Sequence, residues 1–227
     1  EESVPSHINS ARNALLYYIN ETKNSNFVDG KMIFLQGSPI LEDKNGLKVG
    51  RLSGISAHFV PNYLQKNRLP SYETNVIEDW ETKVDRVVDE TVKADMTLIS
   101  GIPPWLIMYF ERLIKVSGKE NVQSIFKNLQ LMVTGGVNYE PYRDKVNQLI
   151  GRKIDCIQTY PASEGFIAYQ DSQKNDDLLL LLNNGIFYEF VPVEEFFDEN
   201  PTRISLKDVE VGKDYVLIQI GRASCRE

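Results

Sequence analysis

The sequence predicts an α/β domain in which a parallel sheet, flanked by helices, passes into antiparallel strands. Over the first two thirds of the chain, short apolar segments alternate with amphipathic segments of helical period. That alternation is typical of parallel strands joined by crossover helices. Beyond about residue 178 the helical period stops, and turn residues alone separate the short apolar segments. This second pattern predicts antiparallel strands.

Four segments with apolar residues at helical spacing are predicted helices. Pro103 and Pro141 suit the first turn of a helix, because the N–H group that proline lacks would have no partner there. Asn138, shortly before Pro141, is the predicted N-cap of the last helix. The predicted helices cover residues 8–23, 78–93, 103–114 and 139–150.

The apolar segments between these helices are the predicted parallel strands: Met32–Leu35, Thr97–Ile99, Leu129–Val133 and Ile154–Ile157. One helix separates the last two strands, so we expect them to lie parallel in one sheet. Gly37–Leu52, which is rich in glycine and polar residues, is a predicted loop.

The C-terminal third contains a hairpin signal. Leu178–Leu182 and Ile186–Val191 flank Asn184-Gly185, a dipeptide that favours a two-residue turn between antiparallel strands. We therefore expect these two apolar segments to pair with each other. Tyr215–Ile218 is a further predicted strand, because it combines β-branched and aromatic residues.

Composition excludes several classes of function. The 227 residues carry a net charge of −7 without a basic cluster, so we expect no nucleic-acid partner. The longest apolar runs fall far short of the roughly 20 residues of a membrane helix, so we expect no membrane partner. Two cysteines and two histidines cannot supply a disulfide framework or a zinc site of the usual spacing. We expect a cytoplasmic protein, with His7 and His58 at the surface or at helix caps.

Both ends of the sequence suggest a fragment. The chain begins without methionine, and residues 220–227 resemble the in-frame translation of a common sequencing adapter. We therefore expect residues 1–219 to be part of a larger domain and residues 220–227 to be a non-native tail. Cys156 is then the one native cysteine, and we interpret it as a small core residue rather than a nucleophile.

The first candidate site follows the predicted strand Leu129–Val133, because ligands of open α/β sheets bind at the carboxyl ends of the strands. Gly135, Gly136 and Val137 lie there. Two residues without side chains let the backbone approach a flat or phosphorylated ligand closely. A purely structural turn is the alternative interpretation of the two glycines.

The second candidate site follows the predicted strand Ile154–Ile157. Tyr160, Ser163 and Glu164 lie there, and they offer a ring that can stack on a base, a hydroxyl for a phosphate oxygen and a carboxylate for Mg²⁺. The alternative is a polar loop in which Ser163 only stabilises a turn. The sequence contains no G-x-S-x-G, H-E-x-x-H or G-x-x-x-x-G-K-[ST] motif.

Three stretches of the chain carry a family resemblance: Gly135–Tyr142, Thr159–Gly165 and the leucine-rich strand that leads into Asn184–Phe190. Together they resemble the auxin-responsive-promoter family of acyl-acid amido synthetases, in its bacterial form. That family belongs to the adenylate-forming superfamily, with acyl-CoA synthetases and firefly luciferase. The resemblance extends to about Ile218 and implies part of the large N-terminal domain of such an enzyme.

The resemblance implies roles for the residues of the second candidate site. The superfamily's Y-x-x-S-E motif matches Tyr160, Ser163 and Glu164. Tyr160 would lie against the adenine of ATP, Ser163 would face a phosphate, and Glu164 would ligate Mg²⁺. Ser163 and Glu164 would thus be the catalytic residues among those present.

The resemblance also implies roles for residues elsewhere in the chain. Gly135, Gly136 and Val137 would border the adenine through their backbone. Phe187 matches an aromatic residue near the nucleotide, with its neighbour Tyr188 as the alternative. Trp105 and Met108 are candidates for the acyl pocket, with core packing as the alternative.

The implied activity converts a carboxylic acid into an acyl adenylate with ATP and Mg²⁺, and then transfers the acyl group to an amine or amino acid. The family's phosphate loop, ribose-binding aspartate and catalytic lysine have no match in this sequence, so we expect the chain by itself to be inactive. Two alternatives remain open: an acyl-CoA ligase-like adenylating enzyme and a noncatalytic α/β binding domain. The identity of the acid and of the amine is also open.

Overall fold

The computed structural model describes residues 3–60 and 65–221. Its α-helices are α1 (Ser3–Thr22), α2 (Leu52–Ala57), α3 (Tyr72–Asn75), α4 (Trp80–Thr91), α5 (Pro103–Ser117) and α6 (Arg143–Ile150). Its strands are β1 (Lys31–Phe34), β2 (Glu42–Lys44), β3 (Leu47–Val49), β4 (Arg68–Leu69), β5 (Met96–Ser100), β6 (Leu131–Gly135), β7 (Asp155–Ala162), β8 (Gly165–Tyr169), β9 (Leu179–Leu180), β10 (Phe187–Pro192) and β11 (Tyr215–Ile220).

A seven-stranded sheet in the order β4-β1-β5-β6-β7-β8-β9 forms the centre of the fold. The strands from β4 to β7 pair in parallel, whereas β8 and β9 run antiparallel to their neighbours. β6 and β7 lie side by side with α6 as their connection, as the sequence predicts. The α/β fold class and its change from parallel to antiparallel strands are therefore confirmed.

Both faces of the parallel sheet are covered by helices, which is why its strands are apolar on both sides. α4, α5 and α6 pack on one face and α1 packs on the other. Alternate residues along β1, β5 and β6 therefore enter different cores. Those on the three-helix side are Ile33, Ile99 and Met132, and those on the α1 side are Met32, Leu98 and Leu131.

Strand β7 extends well beyond the predicted segment Ile154–Ile157. It continues to Ala162 and then returns as β8, with Ala162 opposite Gly165. Tyr160 thus lies within a strand, and Ser163 with Glu164 forms the two-residue turn of a hairpin. The sequence predicts no strand at β8, because the segment shows no alternation of apolar and polar positions. The structure explains this, since all five residues of β8 are buried.

The predicted hairpin at Asn184-Gly185 is wrong. β9 pairs with β8 in the large sheet, whereas β10 pairs with β11 in a separate two-stranded sheet. The side chain of Asn184 donates hydrogen bonds from Nδ2 to the carbonyl oxygen of Phe166, at 2.7 Å, and to Ser10 Oγ, at 3.0 Å. The segment therefore connects two sheets instead of closing a turn within one.

A hairpin does occur inside the predicted loop Gly37–Leu52. β2 and β3 pair antiparallel and are joined by Asn45-Gly46. Both turn residues have positive φ, 55° at Asn45 and 80° at Gly46. That conformation is the one that a two-residue type I′ turn requires.

The predicted start of α5 agrees with the structure, but the predicted N-cap of α6 does not. Pro103 lies in the first turn of α5. Asn138 instead accepts a hydrogen bond at Oδ1 from the N–H of Glu140, at 3.0 Å, and a 3-10 turn over Glu140–Tyr142 precedes α6.

Within residues 3–60 and 65–221, no helix is both long and apolar enough to cross a membrane.

The last strand extends further than the predicted segment Tyr215–Ile218. Ile220 pairs with Phe187, and Gly221 follows directly after the strand. Residues 222–227, which make up the rest of the expected non-native tail, lie outside the described residues.

Candidate functional site

The carboxyl ends of β6 and β7 border a cleft of about 440 Å³, which we call the glycine cleft. The two strands are parallel and Gly135 is the partner of Thr159, so the segments that follow them meet at one edge of the sheet. The described residues that line the glycine cleft are Thr134, Gly135, Gly136, Val137, Asn138, Gln158, Thr159, Tyr160, Asp176 and Leu178. The cleft thus brings together the three residues of the first candidate site and Tyr160 of the second.

Close packing explains why the last residue of β6 and the residue after it are both glycines. A Cβ at Gly135 would lie 2.5 Å from Thr159 Oγ1 and 2.7 Å from the carbonyl oxygen of Thr159. Gly136 has a φ of 82°, and a Cβ there would lie 2.9 Å from Cγ2 of Ile102. The structural interpretation of the two glycines is therefore sufficient by itself, although Gly136 also exposes its backbone to the cleft.

Tyr160 presents an exposed ring to the glycine cleft. It lies near the end of β7 and 43% of its surface is accessible, which is unusual for a tyrosine of a central strand. A register shift between Tyr160 and Pro161 interrupts the ladder with β8 at this point. An accessible aromatic ring beside an exposed glycine backbone can hold a flat ring system by stacking.

Ser163 and Glu164 lie beyond the glycine cleft, at the tip of the β7–β8 hairpin. Neither is among the described residues that line the cleft, although both extend from the same edge of the sheet. Ser163 is exposed and Glu164 is half-buried. A Cβ at Gly221 would lie 2.9 Å from the carbonyl oxygen of Glu164, so the backbone after β11 packs directly on the turn.

The described residues contain no group of three or more histidine, cysteine or acidic side chains that could hold a metal ion. Glu164 is therefore a single carboxylate at the hairpin tip. Mg²⁺ commonly takes only one or two protein carboxylates and completes its shell with water and phosphate oxygens. The donor set fits Mg²⁺ bound to a phosphorylated ligand, and it does not fit a site that holds the bare ion.

Phe187 and Tyr188 have opposite environments on β10. Phe187 is 60% exposed and lies outside the glycine cleft, whereas Tyr188 is buried against Ile167 and Ile186. The hydroxyl of Tyr188 donates a hydrogen bond to the carbonyl oxygen of Leu181, at 3.3 Å. Tyr188 is thus a core residue, and Phe187 remains the one of the two that a ligand could contact.

The structure contains an ion-pair network beside the glycine cleft that the sequence does not predict. Arg143 lies 2.8 Å from Asp176 and 2.7 Å from Glu140, and its guanidinium lies 5.0 Å from the centre of the Tyr139 ring. Burial lowers the pKa of Arg143, but the hydrogen bonds to Asp176 and Glu140 outweigh it and raise the pKa overall. Asp176 follows β8 on a loop with no recognisable motif, so only its position in the fold reveals it.

A second and larger cleft, of about 840 Å³, lies at the carboxyl end of β1; we call it the tryptophan cleft. Trp80 and Trp105 line it, with their ring centres 4.3 Å apart. Arg51 and Lys83 also line it, and Lys83 Nζ donates to the carbonyl oxygens of Gln36, at 3.0 Å, and Asn75, at 2.7 Å. Burial, followed by the charge of Arg51, lowers the pKa of Lys83.

The structure separates the two candidates for an acyl pocket. Trp105 lines the tryptophan cleft and also packs against the core, so its core packing is established and its role in an acyl pocket stays a prediction. Met108, one turn later on α5, is 41% exposed and lines a shallow depression with Val84 and Arg112 on the outer surface. Trp105 and Met108 therefore do not share a cleft.

The expectation that both histidines lie at the surface or at helix caps is wrong for His7. His58 is exposed and is the C-cap of α2, as expected. His7 is only 4% exposed, and its Nε2 donates a hydrogen bond to the carbonyl oxygen of Ala162, at 3.1 Å. It lies 155 positions from Ala162 in the sequence, so only the tertiary structure brings the two together.

Cys156 has the properties of a packed thiol. Burial raises its pKa to about 12, and its Sγ lies 3.6 Å from Thr134 Oγ1. The thiol is therefore protonated at neutral pH and is a poor nucleophile. This agrees with the interpretation of Cys156 as a core residue.

Comparison with known proteins identifies the kind of fold. Residues 179–220 match the GH3 family central domain. The structure is similar to that of GH3.15 acyl acid amido synthetase, with a TM-score of 0.67 and 9% identity over 97% of this chain and 48% of that chain. AtGH3.15 acyl acid amido synthetase in complex with 2,4-DB gives a TM-score of 0.68 and 10% identity over 97% of this chain and 47% of that chain. No curated protein matches the sequence.

The resemblance to acyl acid amido synthetases is confirmed. At such low identity the structural likeness establishes the fold, and the matched segment 179–220 carries the link to the GH3 family itself. That segment contains β9, β10 and β11. The chain spans about half the length of the two solved proteins.

Proposed function

We propose that this chain is part of a cytoplasmic, ATP-dependent acyl acid amido synthetase. The enzyme would convert a carboxylic acid into an acyl adenylate and then transfer the acyl group to an amine or amino acid. The observation that carries the proposal is the glycine cleft, in which Tyr160 and the backbone of Gly135 and Gly136 lie together at the carboxyl ends of β6 and β7. The GH3 central-domain match and the fold supply the family context.

The glycine cleft fits the adenine part of ATP. Its volume of about 440 Å³ lies within the range of small-molecule sites. Tyr160 would stack on the base from one side. Gly135, Gly136 and Val137 would border it from the other, because the glycines bring no side chain into the space. Thr134, Gln158 and Asp176, which also line the cleft, would supply polar contacts to the edge of the base.

Ser163 and Glu164 would act at the phosphates, further out along the hairpin. The hydroxyl of Ser163 is exposed and can donate a hydrogen bond to a phosphate oxygen. The carboxylate of Glu164 would hold Mg²⁺. When bound, Mg²⁺ offsets negative charge on the phosphates of ATP while the carboxylate of the substrate acid attacks. The position of both residues beyond the cleft agrees with a ligand whose base lies inside and whose phosphates extend along the sheet edge.

The tryptophan cleft would hold the acyl acid. Trp80 and Trp105 offer an aromatic wall, and Arg51 and Lys83 supply positive charge that favours a carboxylate. A Cβ at Gly136 would lie 2.9 Å from Cγ2 of Ile102, which immediately precedes α5, so the helix that carries Trp105 begins beside the glycine cleft. An acid carboxylate between the clefts would be close to the phosphates.

The first experiment is pyrophosphate exchange by the full-length protein that contains this chain, with a panel of carboxylic acids and Mg²⁺. Glu164→Gln removes the charge with little change in volume, and we expect it to slow exchange by about 10²-fold or more while the thermal melt stays unchanged. Glu120→Gln is the matched control, because Glu120 is exposed and follows α5, which returns the chain to the opposite edge of the sheet.

The outcomes separate the activity from the residue assignment. A wild-type protein that supports no acid-dependent exchange would contradict the proposed function. Normal exchange by Glu164→Gln would contradict the role of Glu164 and leave the activity intact. The chain of 227 residues by itself should support no exchange, because the family's phosphate loop, ribose-binding aspartate and catalytic lysine have no match in it.

A further inference from the structure

The buried histidine on α1 has no role in the proposed reaction, yet it contacts the hairpin that carries Ser163 and Glu164. Because a carbonyl oxygen can only accept, His7 Nε2 is the donor in the 3.1 Å hydrogen bond to Ala162. The ring also packs edge-on against Phe166, with the ring centres 6.0 Å apart. His7 therefore contacts the residue just before the turn and a residue just after it.

The ladder of the hairpin is irregular near its tip, so contacts from outside the hairpin can stabilise the tip. The register shifts between Tyr160 and Pro161, and Pro161 has no N–H group to donate to β8. Ala162 and Gly165 are the last pair before the turn. Removal of His7 would take from the carbonyl oxygen of Ala162 a hydrogen bond donated by a buried side chain.

A second contact from α1 supports the same hairpin. Ser10 lies three residues after His7 and therefore on the same face of the helix. Its hydroxyl receives a hydrogen bond from Asn184 Nδ2, at 3.0 Å, and the same Nδ2 donates to the carbonyl oxygen of Phe166, at 2.7 Å. One face of α1 thus holds both strands of the hairpin beside its tip.

We propose that His7 is a positioning residue that sets the direction of Ser163 and Glu164 through the carbonyl group of Ala162. This inference rests on the proposed function for its consequence, because Glu164 matters only if it holds Mg²⁺ at the phosphates. A displacement of about 1 Å at a reacting group can cost about 10²-fold in rate. A single hydrogen bond next to the turn can therefore affect the reaction without touching the nucleotide.

Two substitutions separate the hydrogen bond from the volume of the side chain. His7→Leu removes the N–H donor and fills the space with an apolar side chain of moderate size. His7→Gln retains an N–H donor near the position of Nε2. His58→Leu is the matched control, because His58 also donates from Nε2 to a carbonyl oxygen, that of Pro39, at 2.9 Å. All variants are made in the full-length protein.

The first measurement is hydrogen exchange of the backbone amides at residues 163–165. We expect His7→Leu to speed exchange there by about tenfold, which corresponds to the loss of one hydrogen bond. His7→Gln should restore most of the protection, and His58→Leu should leave these amides unchanged. This measurement needs neither nucleotide nor catalysis, so it tests the contact even if the proposed function fails.

The second measurement is the Mg²⁺ dependence of ATP binding, followed by calorimetric titration. His7→Leu should require about tenfold more Mg²⁺ for half-maximal binding of ATP, and His7→Gln should return the requirement toward wild type. Two results with His7→Leu would each overturn the inference. One is faster hydrogen exchange of amides throughout the protein. The other is unchanged exchange at residues 163–165 together with an unchanged Mg²⁺ dependence of ATP binding. A wild-type protein that binds no Mg-ATP would instead refute the proposed function, and the exchange data would still decide the role of His7.

Discussion

Replacing Gly135 by alanine tests whether the edge of the glycine cleft is as tightly packed as the structure indicates. The new Cβ would lie 2.5 Å from Thr159 Oγ1 and 2.7 Å from the carbonyl oxygen of Thr159. Both atoms are held in place, because Thr159 is the ladder partner of Gly135 and its hydroxyl donates to the carbonyl oxygen of Thr134, at 2.9 Å. Relief of the contact requires β6 and β7 to move apart.

Gly165 provides a matched comparison with a different neighbour. A Cβ there would lie 2.6 Å from Cδ1 of Ile186, nearly the same distance as at Gly135. The contacted atom is the end of a side chain, which can turn without moving any backbone. Overpacking typically costs about 1–3 kcal/mol, so we expect about 3 kcal/mol for Gly135→Ala and about 1 kcal/mol for Gly165→Ala.

The free energy of unfolding in urea measures both costs on the chain of 227 residues. A loss of about 3 kcal/mol is a large part of the 5–15 kcal/mol that stabilises a typical domain. Ile186→Val removes Cδ1 and should reduce the cost of Gly165→Ala in a double-mutant cycle. Thr159→Ala should give no such relief to Gly135→Ala, because the carbonyl oxygen at 2.7 Å stays in place. Equal costs for the two alanine variants, or full relief by Thr159→Ala, would refute the reasoning.

Two further predictions concern the tryptophan cleft and the pH dependence of stability. Trp105→Leu should raise the KM for the carboxylic acid by about tenfold in pyrophosphate exchange, whereas Met108→Leu should leave it unchanged; equal effects would contradict the assignment of the tryptophan cleft to the acid. Burial, then the hydrogen bond to Asp155, raises the pKa of Tyr18 from 10.0 to about 12. The folded state thus favours the protonated hydroxyl of Tyr18. The resulting contribution to the free energy of unfolding is complete below pH 10 and is lost as the pH rises toward 12. Tyr18→Phe should flatten that part of the curve of unfolding free energy against pH, and an unchanged slope would contradict the cause.

The two Asn-Gly dipeptides show where local sequence signals succeed and fail. Asn45-Gly46 forms a two-residue hairpin turn in which both residues adopt positive φ. Asn184-Gly185 has the same sequence signal, but the Asn184 side chain bonds to Ser10 and Phe166. The local preference of the dipeptide is the same in both places, so the long-range partners of Asn184 decide the outcome.

The candidate site shows the same division. The residues of the two sites could be found from the sequence because each group follows an apolar strand, and the carboxyl ends of adjacent parallel strands share one edge. The sequence could not predict that Glu164 lies outside the glycine cleft. Its position depends on the continuation of β7 through Tyr160 to Ala162, and that continuation depends on pairing with the buried strand β8. Asp176 and Arg143 could not be found at all, because an ion pair between a loop and a helix leaves no periodic pattern.

The sequence by itself determined the α/β class, the parallel arrangement of β6 and β7, and the placement of the glycine turn and the Tyr160 segment at one edge of the sheet. These features follow from the spacing of apolar residues and from turn residues, which act over a few positions along the chain. Only the tertiary structure decided that His7 lies under the Ser163–Glu164 turn, that Trp105 and Met108 face different clefts, and that β9 and β10 belong to different sheets. Those features depend on contacts between residues up to 174 positions apart, whose side-chain directions are set by packing and are not encoded in any local pattern.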